Sequence, residues 1–496
     1  MEKMKMFLHK ICGTTPESDL QPKEILSYSI AGFGQNLICT FISSFLMLFL
    51  TDTMKLGPMF LAWLFLGVRL FDAFNDPIMG TIVDYTNTKN GKLRPYLKWT
   101  PIPIAIMTIL CFTNIPGMTI NAKMIYIGVI YTIWSVVYTV VDVPYWGLST
   151  AMTSDTNLRN LMLTIARLLC TLGSGLVTVL FPIIIDSVKK YNDPDLAVYN
   201  PEKYIQMSSK IFLIFAIAIS VVSIPLFYLG YKNTKERFYS EVKPKSLPHN
   251  LSLLFKNKPL MLIVLSGVLG SARYLYLSSG IYYAKYTLGS ESLFSIITLL
   301  VAPGGGLASI LTPYLSKKFG KKNLFIYSHI VGGILLLILY FIGFKTNGKT
   351  TGTYVFGVIT LILAGIPSGF ANILSYAMIA DTVDYLEDKV GERAEGICFA
   401  MQTFISKVGM AVCAFAILLG LGAASYEPNV EATDKTLRTL WLLSALLPAL
   451  SNIACAIPLF FYKFTEDQQR AAVARVAERK AQSANLKEQV EAMTVA

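Results

Sequence analysis

Apolar residues along the chain gather into long runs separated by short polar connections. Twelve runs are long enough to cross a bilayer, at residues 25–52, 58–84, 97–115, 122–150, 158–186, 208–231, 259–287, 292–316, 322–343, 353–380, 396–424 and 437–462. A spanning helix needs about 20 apolar residues, so the longer runs leave room for tilt or for extension beyond the membrane. They read as helices, because an open strand leaves its backbone groups unpaired in hydrocarbon. The pattern predicts an all-α integral membrane protein with twelve transmembrane helices.

Cations concentrate in alternate connections. Lys89, Lys92 and Arg94 follow the second run, and Lys317, Lys318, Lys321 and Lys322 follow the eighth. The central connection holds Lys232, Lys235, Arg237, Lys243, Lys245, Lys256 and Lys258. Odd connections are poorer, with Lys55, Lys123, Lys345 and Lys349; the fifth mixes Lys189, Lys190, Lys203 and Lys210 with Asp193, Asp195 and Glu202. Cytoplasmic loops collect such residues, so even connections and both termini are expected in the cytoplasm, with the chain in the cytoplasmic membrane. The central connection divides the chain into an N-terminal six-helix half (1–231), a cytoplasmic loop (232–258), a C-terminal six-helix half (259–463) and a cytoplasmic tail (464–496). A basic turn follows the second run of each half, at 80–96 and 312–324, as expected of a weak internal repeat. The tail is rich in Ala, Glu, Gln, Lys and Arg and is expected to be helical or disordered.

Composition agrees with this reading. The 496 residues are 54% hydrophobic and 15% charged, with a mean hydropathy of +0.53, which excludes an ordinary soluble domain. The net charge of +12 is accounted for by basic loops, so no nucleic-acid partner is expected. The cysteines at 12, 39, 111, 170, 398, 413 and 455 mostly lie in apolar runs without metal-ligand spacing. His9, His249 and His329 do not cluster. No cleavable signal peptide is expected, since the start is short and basic and the first apolar run begins only near Ile25.

The second run carries the chemistry that organises the rest. Within GVRLFDAFNDPIMGTIVD (67–84), Arg69, Asp72 and Asp76 are spaced three and four apart and share one helix face in mid-span. A charge at that depth costs at least about 2.5–3.5 kcal/mol, so such residues face a bundle interior or an aqueous cavity and mark an ion or substrate path. The alternative is a buried structural Arg–Asp pair. One arginine does not neutralise two carboxylates, and a hard cation such as Na⁺ or H⁺ is the natural missing partner.

Other runs supply further polar groups. In YTVVDVPYWGL (138–148), Asp142 is the only acid, with Thr139 one turn before and Trp146 one turn after. Pro144 permits a kink there. A tryptophan stacked on a sugar ring, with a carboxylate accepting its hydroxyls, is a sensible sugar grip; an interfacial role for Trp146 is the alternative. Arg167 in the fifth run has no acid within a turn. Lys407 in the eleventh has Thr403 one turn before it and Gln402 beside that stripe. Pairing of Lys407 with Asp72, Asp76 or Asp142 is expected, with a purely structural ion pair as the competing account. Gln35 and Asn36 are neutral groups able to face the same cavity, while Arg273, Tyr276, Tyr282, Tyr283 and Tyr286 lie in the seventh run, its tyrosines expected to pack. Asp381 and Asp384, one turn apart, either face solvent or form an inter-half latch with basic residues of the matching loops; Arg69, Asp84 and Arg393 complete this gating set.

The segments RLFDAFNDPIMG, NGKLRPY, YTVVDVPYW, ADTVDYLEDKVGERAEG and TFISKVG resemble those of the glycoside–pentoside–hexuronide:cation symporters. These melibiose permease-like sugar carriers belong to the major facilitator superfamily, and the resemblance extends over essentially all twelve runs. It implies a major facilitator fold of two six-helix halves. It implies a cation site of Asp72 and Asp76 with Thr139, bordered by Asp142 and Lys407. It also implies a sugar site of Asp142, Trp146, Arg167, Thr403 and Lys407, with Gln35, Asn36 and Gln402 nearby. Where melibiose permease has an acid, this chain has Asn36, which argues against a galactoside preference. Retention of Arg167 and Lys407 makes the cavity more cationic and better suited to a uronide or other acidic sugar.

The expected function is cation-coupled symport of a sugar or glycoside by alternating access, with Na⁺ or H⁺ (Li⁺ as a further option) as coupling ion and no cofactor. The expected partners are the sugar, the cation and membrane lipid. A major facilitator carrier of an amphipathic lipid such as a lysophospholipid is one rival. A polar cavity ringed by Asp142, Arg167 and Lys407 argues against long acyl chains. An integral membrane enzyme is the other, and no His/Cys grouping supports it.

Overall fold

A computed structural model of the chain describes residues 14–15, 18, 20–86, 88–153, 155–192, 201–238, 247–345, 351–392 and 395–495. The first half comprises α1 (Pro22–Leu48, continued by a wide π turn Phe49–Thr53), α2 (Pro58–Tyr85), α3 (Arg94–Trp99), α4 (Pro101–Cys111), α5 (Ile120–Met152), α6 (Thr156–Asn192) and α7 (Pro201–Asn233). The second comprises α8 (Leu247–Lys256), α9 (Lys258–Leu269), a 3₁₀ turn (Ser271–Tyr274), α10 (Leu275–Ser278), α11 (Gly280–Tyr286), α12 (Leu293–Phe319), α13 (Lys321–Gly343), α14 (Thr351–Val390) and α15 (Glu395–Ala423). It ends in α16 (Asp434–Trp441), a π turn (Leu442–Leu446), α17 (Leu447–Phe460) and α18 (Glu466–Val495).

Nine helices among the described residues are long and apolar enough to cross a membrane. The expected runs 58–84, 97–115 and 259–287 are also helical, but the last two are divided. The seventh run, expected as one helix, is broken into α9, the 3₁₀ turn, α10 and α11, because Gly270, Ser271, Ser278, Ser279 and Gly280 weaken helix propagation. Helix ends follow local chemistry. Pro22 and Pro58 occupy first turns, where a missing N–H costs nothing, and Glu24 Oε2 accepts from Gln21 N at 3.1 Å. Asn257 caps α9 by accepting from Leu260 N at 3.2 Å. On α13, Tyr327, Val331, Ile334, Ile338 and Phe341 recur at helical spacing and are all exposed, an apolar stripe suited to lipid. The chain is a multi-pass membrane protein.

The chain forms two compact units. The first is Met1–Val242, Ser278–Thr298 and Ala414–Leu440; the second is Lys243–Leu277, Leu299–Cys413 and Trp441–Ala496. In the first, α1 packs on α6 and α7, and α2 packs on α5. Phe41, Phe45, Phe49, Phe112, Phe181 and Phe212 interlock in its core, with ring centroids 4.3 Å apart for Phe41–Phe112 and 4.7 Å for Phe45–Phe181. Between lipid-embedded helices this close packing, rather than escape from water, supplies the attraction.

The NGKLRPY turn has a clear physical basis. Gly91 adopts φ +105°, and a Cβ there would meet Glu236 Oε1 at 2.4 Å. The turn lets Lys92 N (2.9 Å), Leu93 N (2.9 Å) and Arg94 N (2.7 Å) all donate to the Glu236 carboxylate at the start of α3. In the second unit, α13 packs on α14 and α17, and α9 on α17. The tail is helical as α18 and docks on the end of α14: Arg475 and Arg479 pair with Asp388 at 2.7 and 2.6 Å, and Gln469 donates to Asp384 at 2.8 Å.

Candidate cation and sugar site

Two helices of the first unit build the polar stripe. Asp72 is 3% exposed; it accepts from Ser135 Oγ and from Arg69 Nη1 at 3.3 Å. One turn on, Thr139 Oγ1 donates to Asp76 Oδ1 at 3.2 Å. Both hydroxyl–acid pairs are 63 residues apart in sequence, so α2 and α5 lie parallel in one register. Arg69 therefore does pair with Asp72, as the structural alternative required. Asp76, half-buried, accepts from the Thr139 hydroxyl. Ser135 is the residue missed from sequence. It continues the stripe 135, 139, 142, 146 one turn back, and that spacing was the available signal.

Carboxylates and hydroxyls on facing helix stripes are hard oxygen donors, suited to a small hard cation or a proton. Among the described residues no group of three or more His, Cys, Asp or Glu is arranged to hold a metal ion. The arrangement is thus a pair of acids, each bonded to a hydroxyl of the facing helix.

Further along α5, Asp142 Oδ1 accepts from Gln35 Nε2 of α1 at 2.6 Å and from Trp146 Nε1 at 3.1 Å, with the Tyr138 hydroxyl at 3.5 Å. Arg167 of α6 is exposed, its guanidinium carbon 5.4 Å from the Trp146 ring centroid. Gln35, Asp142, Trp146 and Arg167 are thereby brought together. The indole is held by its N–H, so Trp146 is oriented by Asp142. Asn36 has other commitments: its Nδ2 donates to Gly32 O at 3.0 Å, and its Oδ1 accepts from Ser174 at 3.2 Å. It fastens α1 to α6, because a side-chain amide on the packed face satisfies itself on the neighbouring helix.

The remaining candidates belong to the second unit. Thr403 and Lys407 lie one turn apart on α15, Thr403 exposed and Lys407 half-buried, and Gln402 is half-buried beside them. Asp381 pairs with Lys321 at 2.6 Å, inside the second unit. Lysine at the start of α13 lies within reach of that acid, while α18 engages Asp384 and Asp388. The Asp84 side chain and Arg393 lie outside the described residues.

The first unit also contains a charge network that sequence reasoning overlooked. Asp52, in the π turn ending α1, pairs with Lys285 and accepts from the hydroxyls of Tyr286 (2.6 Å) and Tyr426. Asn429 bridges Lys285 Nζ at 2.8 Å and the Asp52 carbonyl at 2.6 Å. Glu291 joins through Lys189 at 2.9 Å and Lys285 at 3.7 Å. Tyr286, expected as packing, is here a hydrogen-bonding member.

The family model described as MFS/sugar transport protein matches residues 27–466. The chain belongs to that family. It is a transporter of the glycoside–pentoside–hexuronide:cation symporter type, not an enzyme. It is 30% identical over 445 residues to the isoprimeverose transporter of Lactiplantibacillus pentosus, covering 89% of this chain and 88% of that one. It is 26% identical to the glucuronide carrier protein homolog of Escherichia coli strain K12, with 92% and 96% covered. Among solved structures, the nucleoside transporter NupG is similar at a TM-score of 0.60 and 15% identity, covering 89% of this chain and 100% of that one. A D-xylose-proton symporter gives 0.56 at 12%, covering 90% and 98%. These likenesses place the fold in the major facilitator class.

Proposed function

We propose that the chain couples uptake of a sugar or glycoside to a cation bound at Asp72 and Asp76. One observation carries the proposal: Thr139 and Asp142 lie one turn apart on α5, the first bound to Asp76 and the second to Gln35 and Trp146. A single helix stripe thus serves both ligands. A cation between the acids draws Ser135 and Thr139 lone pairs toward itself and fixes the turn that carries Asp142 and Trp146. The sugar then meets an oriented indole and a carboxylate already aimed at its hydroxyls. Coupling requires only that each ligand favour the same conformation, and it is reciprocal.

In this proposal Arg167, beside the Trp146 ring, completes the sugar site with Gln35, Asp142 and Trp146. The relatives named for isoprimeverose and glucuronide support glycosides, neutral or acidic, as the substrate class. The coupling ion is Na⁺ or H⁺, with Li⁺ a further substitute, and the chain sits in the cytoplasmic membrane with both termini inside. The test is uptake into proteoliposomes containing the purified protein, under imposed Na⁺ or H⁺ gradients. Accumulation of a glycoside or uronide above equilibrium, competed by sugars and not by lysophospholipids, is the expected result. Displacement by lysophospholipid, or no accumulation under any cation gradient, contradicts it.

A further inference from the structure

Among the described residues, Arg273 is a buried cation without a carboxylate. It is 6% exposed within the second unit. Its Nη2 donates to the Tyr274 hydroxyl at 3.3 Å, and its guanidinium carbon lies 4.7 Å from that ring's centroid. Its Nε and Nη1 have no hydrogen-bond partner, and no acid pairs with it among the described residues. The backbone is shaped for this pose. The seventh run breaks after α9, and a Cβ on Gly270 would lie 2.3 Å from Arg273 Nη1, so glycine leaves the room into which the guanidinium folds. Discontinuous helices in transporters commonly mark ligand sites.

Arginine stays protonated at every accessible pH. The carbonyl end of α9 offsets at most about half an elementary charge, and the tyrosine ring less. A net positive charge therefore sits in a low-dielectric interior, a state strongly disfavoured unless something neutralises it. Beside the guanidinium is a small cavity of ≈ 10 Å³ lined by Arg273, Ser266, Ser375 and Gln402 among apolar neighbours. That is room for a single occupant of atomic size. Gln402 Oε1 in the same lining is buried without a partner. The oxygen and nitrogen of such an amide are interchangeable in assignment, so turning it presents an N–H to the cavity.

We propose that this cavity is a site for one small monovalent anion of chloride size, held by Nε–H and Nη1–H of Arg273 and by the Gln402 amide. A water satisfies the hydrogen bonds but leaves the charge. A sugar carboxylate carries a ring too large for the space. The ion also fixes Gln402, next in sequence to Thr403.

The test uses the full-length purified protein with bromide in place of chloride. Diffraction at the bromine edge should give an anomalous peak within hydrogen-bond reach of Arg273 Nε and Nη1. Replacing gluconate with chloride should raise the unfolding midpoint of the wild type, leave Arg273→Met unresponsive, and weaken the response of Gln402→Ala several-fold. The wild-type bromide peak decides the matter even where Arg273→Met does not fold. A cavity holding only water, or a halide response equal in wild type and Arg273→Met, overturns the proposal.

Discussion

Thr139 donates to Asp76 at 3.2 Å across the α2–α5 interface, one turn beyond the matching contact of Ser135 with Asp72. The two pairs set four side-chain oxygen groups along parallel helices of the first unit. A hydroxyl both donates and accepts, so it can bond a bare carboxylate and then turn its lone pairs to an arriving cation. A salt bridge such as Arg69–Asp72 lacks that ability by itself.

Removing either hydroxyl should weaken cation binding. Ser135→Ala or Thr139→Ala removes a hydroxyl whose lone pairs ligate the cation in this account, so cation affinity should fall. Sugar affinity at saturating cation should change little. Calorimetric sugar titrations over a range of cation concentrations measure both.

Asp142 and Trp146 should separate by substitution. Asp142→Asn removes the charge that Gln35 and Trp146 donate to, and sugar affinity should fall by about tenfold or more. Trp146→Phe keeps the stacking surface and loses the oriented N–H, so it should bind sugar better than Trp146→Ala. Equal affinities for the two Trp146 variants, measured by direct binding, would argue against stacking.

The Asp52–Lys285 pair gives a stability prediction. Breaking a buried pair by removing one partner leaves an uncompensated charge and costs about 3–5 kcal/mol. Asp52→Asn and Lys285→Gln should each lower the unfolding midpoint, and the double variant should be less destabilised than the sum of the singles. Strict additivity in a double-mutant cycle would show that the two charges are not coupled.

At the NGKLRPY turn, Gly91→Ala forces a side chain into φ +105° and against Glu236. Loss of about 1–3 kcal/mol is expected from the backbone alone. Glu236→Gln should be milder, since a neutral oxygen still accepts from the turn amides. Thermal unfolding of both variants checks the order.

Much of the α2–α5 stripe is legible in the amino-acid sequence. Charges spaced three and four apart in an apolar run are rare and costly, so Arg69, Asp72 and Asp76 stand out, and the Thr139–Asp142–Trp146 stripe follows from helical spacing. Ser135 does not stand out, because a lone serine in an apolar helix usually bonds its own backbone. The Asp52–Lys285 network is hidden by separation: its members are 233 residues apart, and each lies near a run end where charges are ordinary. Asn36 cannot be told from Gln35 by sequence, since adjacent amides point to different neighbours and only packing assigns them. The broken seventh run looks continuous because its apolar content masks the Gly270–Ser271 and Ser279–Gly280 interruptions.

The most direct test of the central claim is the linkage between the two ligands. Isothermal titration of a transported sugar with and without Na⁺, and of Na⁺ with and without sugar, should give the same affinity ratio in both directions; where H⁺ is the coupling ion, pH takes the place of Na⁺. That ratio should collapse to one in Asp72→Asn and Asp76→Asn while some sugar binding persists. A sugar affinity indifferent to Na⁺, Li⁺ and pH in the wild type, or a linkage that survives in both variants, would contradict the account.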